Sequence, residues 1–253
     1  MEQKPITLTW DYLYKKDATA TFYNCGNGND TIALFSGFGQ TVVQHNVLKT
    51  VFDWAMREQY QIVVVETFIN DIKTCATKTK YEYNDFQELF NMILCAIPGT
   101  TDNYPHIIAH STPTIPITKN FSNRIENKKN VLAKSATFFA PFPTNSNILD
   151  SLQRGTRDED IKKQITNIKT FAEKLFTVEI DPTLMGKYKF PFGLVAGKKD
   201  TTAPAQHTTE LVTEAANPNI TWRVVNENHN FSRIASNEII EIVKTQIERT
   251  REN

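Results

Sequence analysis

Pro105-His106-Ile107-Ile108-Ala109-His110-Ser111-Thr112-Pro113 is the stretch on which the reading of this sequence turns. Ile107, Ile108 and Ala109 form a short apolar run, which predicts a buried strand over residues 106–109. The spacing that follows predicts a helix over residues 112–121. Pro113 and Pro116 suit the first turn of such a helix, where a missing N–H has no intrahelical partner to lose. Ser111 therefore stands at a junction, past the end of a strand and at the entry to a helix.

The same alternation runs outward in both directions. Residues 31–35 are an apolar run closed by Ser36-Gly37, and Ile62, Val63, Val64 and Val65 are four β-branched residues in a row. Both patterns suit strands covered on two faces. Between them Val47, Leu48, Val51, Phe52 and Ala55 recur at helical spacing, as do Phe86, Leu89, Phe90, Ile93 and Leu94. Residues 136–139, 192–195 and 221–225 read as further strands. Leu211, Val212 and Ala215 mark one late helix, and Ile234, Ile240, Val243 and Ile247 mark the last. Two N-terminal strands are expected at 8–14 and 19–23, with turns at 15–17 and 26–29. Alternating strand and helix predicts an α/β protein built on a mostly parallel sheet with helices on both faces. One domain is expected over residues 1–253. Residues 141–188 interrupt the pattern and exceed an ordinary connection. Thr156 and Glu159 form a capping-box pair, and Ile161, Ile165, Ile168, Phe171 and Leu175 follow at helical spacing. A helical cap inserted at about 141–188 is expected, its apolar stripe packing on the body, lining a slot, or both.

Composition narrows the class. Twenty-eight basic residues balance 28 acidic ones, giving a net charge of +0. No net field draws the chain to nucleic acid or an anionic membrane. No apolar run approaches the roughly 20 residues of a membrane span. Met1-Glu2-Gln3-Lys4-Pro5 leads into no apolar signal core. Cys25, Cys75 and Cys95 are too widely spaced for a disulfide framework, which favours a reducing compartment. The expected location is cytoplasmic. No Walker pattern occurs and no G-x-G-x-x-G follows a strand, so no nucleotide cofactor is expected, and the five histidines are scattered along the chain, so no metal is expected.

Three polar residues carry the chemistry. Ser111, Asp200 and His229 each follow an expected strand, and groups just beyond the carboxyl ends of parallel strands converge on one crevice. A serine hydroxyl becomes a nucleophile when a histidine takes its proton, and a carboxylate can orient that histidine. Each residue also has an ordinary reading. Lys198 and Lys199 beside Asp200 fit a surface turn. Asn226, Glu227, Asn228 and Asn230 around His229 make a polar loop. The His110 side chain should point away from the crevice and pack. His45 and His207 read as structural or exposed, and Phe138, Phe139 and Phe142 as core and pocket wall.

Four segments lie in order along the chain: Ser36-Gly37-Phe38-Gly39, Ala109-His110-Ser111-Thr112-Pro113, Gly197-Lys198-Lys199-Asp200 and Asn228-His229-Asn230-Phe231-Ser232. In these, and over about residues 31–248, the chain resembles α/β-hydrolase-fold serine hydrolases of the esterase and thioesterase kind. That family's elbow is G-x-S-x-G; here Ala109 and Pro113 take the glycine places. The resemblance implies an α/β-hydrolase fold and an acyl-enzyme on Ser111, with His229 as base and acid and Asp200 as its orienter. It also implies an oxyanion hole from the backbone N–H groups of Phe38 and Thr112, with Gly39 as a further candidate. The chain has only nine glycines and places two in this loop, where they let the backbone turn sharply. The implied substrate is a small-molecule or carrier-bound acyl group, as a carboxylic ester or thioester. Two rival readings are an acyltransferase acting on a carrier-bound chain and a catalytically inactive binding protein of the same fold. The missing elbow glycines favour the second of these.

Overall fold

The computed structural model describes residues 5–14, 16–24, 30–71, 74, 81–97, 104–144 and 159–252. Eight strands among these residues form one sheet in the order β1-β2-β4-β3-β5-β6-β7-β8. The strands are β1 (Ile6–Trp10), β2 (Ala18–Tyr23), β3 (Thr31–Phe35), β4 (Gln61–Thr67), β5 (His106–His110), β6 (Ser135–Phe139), β7 (Phe192–Gly197) and β8 (Ile220–Val225). β2 is antiparallel to both its neighbours, and every other pairing is parallel. The expected α/β class with a mostly parallel sheet is what the chain adopts.

The continuous apolar runs follow from burial on two faces. Ala33, Phe35, Val63, Val65, Ile107 and Ala109 enter one core. Their neighbours Ile32, Leu34, Ile62, Val64 and Ile108 enter the other. Alternate residues of a strand point to opposite faces, so a central strand needs apolar residues at every position. The first core is covered by α2 (Tyr83–Ala96), α3 (Thr114–Glu126) and α4 (Glu159–Phe176), through Phe86, Phe90, Phe121 and Leu175 among others. Val47, Leu48 and Val51 of α1 (Asn46–Arg57) cover the second core together with Ile239 and Val243 of the last helix, Ser236–Glu252. Each such side chain contributes about 1.5–3 kcal/mol by leaving water.

The chain order creates the crevice. From β3 the chain passes through α1 on one face to β4, then through α2 on the other face to β5, on the opposite side of β3. The loops leaving β3 and β5 therefore part at their carboxyl ends, where open parallel sheets bind ligands.

Several boundaries differ from the sequence expectation. β1 ends at Trp10, short of Tyr14, because the Asp17 carboxylate gathers the N–H groups of Tyr12, Leu13 and Tyr14 at 2.8–3.0 Å into a turn. α3 begins at Thr114 instead of Thr112, for a reason that lies in the site. Between β6 and β7 run α4 and the short α5 (Pro182–Met185). Ile165 and Leu175 of α4 are buried and Phe171 is half-buried against the first core. The expected turn at 26–29, residues 156–158 of the capping box, Cys25, Cys75 and the side chains of Ile161 and Ile168 lie outside the described residues. Cys95 is an exposed free thiol. No helix among the described residues is long and apolar enough to cross a membrane.

Candidate active site

Ser111 leaves β5 with a φ of 63°, in the left-handed region that non-glycine residues rarely enter. That conformation costs about 1–2 kcal/mol, and hydrogen bonds on both sides hold it. The Ser111 N–H donates to the Phe139 carbonyl at 2.9 Å. The Ser111 carbonyl accepts from the Thr114 N–H at 3.0 Å and from the Thr114 hydroxyl at 2.6 Å. Helical bonding thus starts from Ser111, and Thr112 and Pro113 form the turn ahead of α3. Pro113 has φ −60° and ψ −21°, values its ring favours. Its absent N–H is not called upon, while its carbonyl accepts from Ile117 at 3.1 Å. Ala109 is fully buried and in the core. Alanine and proline in the glycine places are therefore compatible with a sharp elbow.

The three candidate residues meet. Ser111 Oγ lies 2.9 Å from His229 Nε2, and His229 Nδ1 lies 2.8 Å from Asp200 Oδ2. An ionised carboxylate can only accept, so Nδ1 carries the proton and Nε2 offers a lone pair to the serine hydroxyl. Asp200 closes a turn, its N–H donating to the Gly197 carbonyl at 3.1 Å with Lys198 and Lys199 exposed, yet its own side chain is 0% exposed. Its second oxygen, Oδ1, accepts from the N–H groups of Thr202 and Ala203, both at 2.8 Å. A carboxylate with both oxygens occupied is held in one orientation.

Two glycines permit these approaches. A methyl group on Gly37 would lie 2.9 Å from Ser111 Cβ and 3.2 Å from the His110 carbonyl oxygen. The loop after β3 therefore rests directly on the serine. A methyl group on Gly197 would lie 2.5 Å from the Glu227 carbonyl oxygen. There the end of β7 touches the loop of His229, and Lys198 and Lys199 donate their N–H groups to Val225 and Glu227 at 2.8 Å. Of the candidate oxyanion donors, the Gly39 N–H is already committed, to the Ile69 carbonyl at 2.9 Å, and Gly39 has a φ of 71°. The N–H groups of Phe38 and Thr112 make no hydrogen bond among the described residues.

His110 does more than pack. Its Nε2 lies 2.8 Å from the carbonyl oxygen of His229, so that nitrogen carries a proton and donates it. Burial, reinforced by His45 and His229, keeps the His110 ring neutral by pushing its pKa well below the usual histidine range. His45 packs against it with ring centroids 3.9 Å apart and the planes tilted by 38°. Burial, and then the nearness of the His229 ring, lower the His45 pKa to about 4. Neither nitrogen of His45 has a hydrogen-bond partner among the described residues. The loop is further fixed by Asn46, whose side-chain amide donates to the Phe231 carbonyl at 2.9 Å, and by Phe231 itself, fully buried with its ring centroid 5.6 Å from that of Phe139. Phe138 and Phe142 lie in the core as expected, 6.4 Å apart. His207 is half-buried on the helix Ala205–Ala215. His106 and His110, four residues apart, are at opposite ends of β5 and serve different partners, since the His106 ring meets Ser135 at 2.8 Å. Among the described residues no group of three His, Cys, Asp or Glu side chains is placed to hold a metal ion.

No family model matches the sequence, and no curated protein sequence matches it. Solved structures do match. A carboxylesterase of the thaumarchaeon Nitrososphaera gargenis superposes with a TM-score of 0.66 at 11% identity, covering 98% of this chain and 99% of that one. The thioesterase domain from the curacin biosynthetic pathway gives 0.65 at 10% identity, covering 96% and 100%. Alpha/beta hydrolase domain-containing protein 10 from mouse gives 0.64 at 10% identity, covering 99% of each chain. Likeness over whole chains at such low identity is a likeness of architecture. With the sheet order, the elbow and the crevice already described, it shows that this chain has the α/β-hydrolase fold.

Proposed function

We propose that the chain is a serine hydrolase that cleaves a carboxylic ester or an acyl thioester through an acyl-enzyme on Ser111. One observation carries the reading: Ser111, at φ 63°, faces His229 at 2.9 Å while His229 faces Asp200 at 2.8 Å. The carboxylesterase and thioesterase names of the structural neighbours support the same class.

In this mechanism Ser111 Oγ attacks the acyl carbon as His229 Nε2 takes its proton. Asp200 stabilises the imidazolium that forms. The oxyanion of the tetrahedral intermediate accepts hydrogen bonds from the N–H groups of Phe38 and Thr112, each worth about 10²–10³ in rate by the precedent of a single donor. Collapse breaks the bond to the alcohol or thiol, which leaves with the proton from His229. Water then adds to the acyl carbon, His229 takes its proton, and the acid departs as Ser111 regains its hydrogen.

An apolar acyl group fits the surroundings best. Phe171 and Phe176 of α4 meet the Phe38 ring edge-on, each at 6.3 Å. The helical segment within 141–188 thus acts as a cap that borders the oxyanion loop with aromatic surface. A panel of p-nitrophenyl esters and acyl thioesters of graded chain length tests the reading. The expected result is turnover by the wild type that falls to background in Ser111→Ala. Background rates with every substrate from folded wild type would contradict it. A burst of one equivalent, with turnover only when an added alcohol or amine accepts the acyl group, would move the reading to acyl transfer.

A further inference from the structure

We infer that Asn70 is the positioning residue of the oxyanion loop, selecting the Phe38 N–H as its free donor; this rests on the serine-hydrolase reading above. Asn70 closes the short 3-10 turn Phe68–Asn70 that follows β4. It is buried, at 6% exposure, and nothing in the sequence marks it. Its side-chain amide has two N–H donors. One reaches the Ser36 carbonyl oxygen and the other the Gly37 carbonyl oxygen, both at 2.8 Å. Its amide oxygen accepts from the Thr67 N–H at 2.7 Å, which ties the fork back to β4.

The consequence follows from peptide geometry. No peptide bond among the described residues is cis. In a planar trans peptide the C=O and the next N–H point in opposite directions. Holding the Gly37 carbonyl toward Asn70 therefore turns the Phe38 N–H away from it. The neighbouring N–H, of Gly39, is taken by the Ile69 carbonyl of the same 3-10 turn at 2.9 Å. One turn thus makes three bonds to the loop after β3, and the Phe38 N–H is left over. The same loop presses on Ser111, since Gly37 has no room for a methyl group against Ser111 Cβ. Asn70 touches neither Ser111 nor His229 in any hydrogen bond, so its action passes through the backbone. A donor fixed before the reaction needs no reorganisation when charge develops.

The test is Asn70→Asp, close to isosteric, which keeps the acceptor for Thr67 but supplies at most one of the two donors. Steady-state kinetics on the best ester, the inhibition constant of an aryl boronate that mimics the tetrahedral intermediate, and the thermal midpoint are measured together. Expected is a fall in kcat of about 10²-fold, with KM within threefold and boronate affinity weakened in parallel with kcat. Boronate affinity is the readout that a merely structural role would not move, because it tracks transition-state binding. Should Asn70→Asp not fold, Asn70→Ser, which retains one hydroxyl donor, must show the same pattern to a smaller degree. Folded Asn70→Asp with wild-type kcat and boronate affinity overturns the inference while active wild type leaves the hydrolase reading standing. Inert wild type overturns both.

Discussion

Replacing Asp200 by asparagine should stop turnover without disturbing the fold, and the structure says why the amide cannot adapt. Asp200 Oδ1 accepts from the N–H groups of Thr202 and Ala203 at 2.8 Å each. In Asp200→Asn only the carbonyl oxygen can take that place, so the NH₂ group lands opposite His229 Nδ1. An N–H facing Nδ1 requires a lone pair there, which moves the imidazole proton to Nε2. Nε2 can then no longer take the proton of Ser111. Flipping the amide to rescue the tautomer would leave two buried backbone donors facing NH₂. Each unsatisfied donor costs about 1–3 kcal/mol, so the flip costs about 2–6 kcal/mol, roughly 30-fold to 10⁴-fold in the competent population. Loss of the carboxylate charge opposite the imidazolium adds to this. The expected fall in kcat is about 10⁴-fold, the size seen when the same change is made in a serine protease triad. The assay is ester hydrolysis at neutral pH, with circular dichroism and the thermal midpoint as controls for folding. A folded Asp200→Asn protein retaining more than a tenth of wild-type kcat would refute the orientation argument.

Acid should weaken the protein through His45. Its pKa is lowered from 6.5 to about 4, so the folded state binds fewer protons than the unfolded state between those values. The stability it contributes is therefore fully present above pH 6.5 and is lost as pH falls towards 4. The linkage amounts to about 2 kcal/mol between pH 7 and pH 5. Denaturant unfolding at the two pH values should show His45→Gln losing about 2 kcal/mol less than wild type; equal losses would contradict the burial argument. Gly37→Ala puts a methyl group 2.9 Å from Ser111 Cβ and 3.2 Å from a backbone oxygen. Neither neighbour is the end of a flexible side chain, so the loop or the nucleophile must shift by about half an ångström; as a 1 Å misplacement costs about 10² in rate, a loss of about 10-fold is expected. Single-turnover acylation by a p-nitrophenyl ester should slow by that factor. An unchanged rate would show that the loop has slack.

Much of the architecture was legible because burial on two faces leaves a plain mark. Residues 31–35, 62–65 and 106–109 are apolar at nearly every position, and each proved to be a central strand feeding both cores. Ser111, Asp200 and His229 were legible as candidates because each follows an expected strand, although the one before His229 is the half-exposed edge strand β8. Other features depend on contacts that no local pattern encodes. His110 reaches the His229 carbonyl across 119 residues of sequence, so its adjacency to Ser111 revealed only that it was buried, not what it held. Asn70 carries no motif, and its role exists only because the turn after β4 ends beside the loop after β3. Gly197 was only the first residue of the Gly197-Lys198-Lys199-Asp200 segment, yet its missing side chain is what lets the Asp200 turn and the His229 loop close on each other. The helix after the elbow starts later than its proline pattern indicates, because Ser111 takes a left-handed conformation and supplies the first carbonyl. Gly39 was a further donor that the resemblance implied, but the Ile69 carbonyl already occupies its N–H.

The central claim is that Ser111 is a nucleophile activated by His229 across 2.9 Å. Intact-mass analysis after treatment with a fluorophosphonate addresses it most directly, since phosphonylation needs an activated serine but no knowledge of the natural substrate. The account predicts one adduct per chain, mapped by peptide sequencing to Ser111, absent in Ser111→Ala and slowed by orders of magnitude in His229→Ala. Folded wild type that remains unlabelled, or that is labelled equally well in Ser111→Ala, would contradict it.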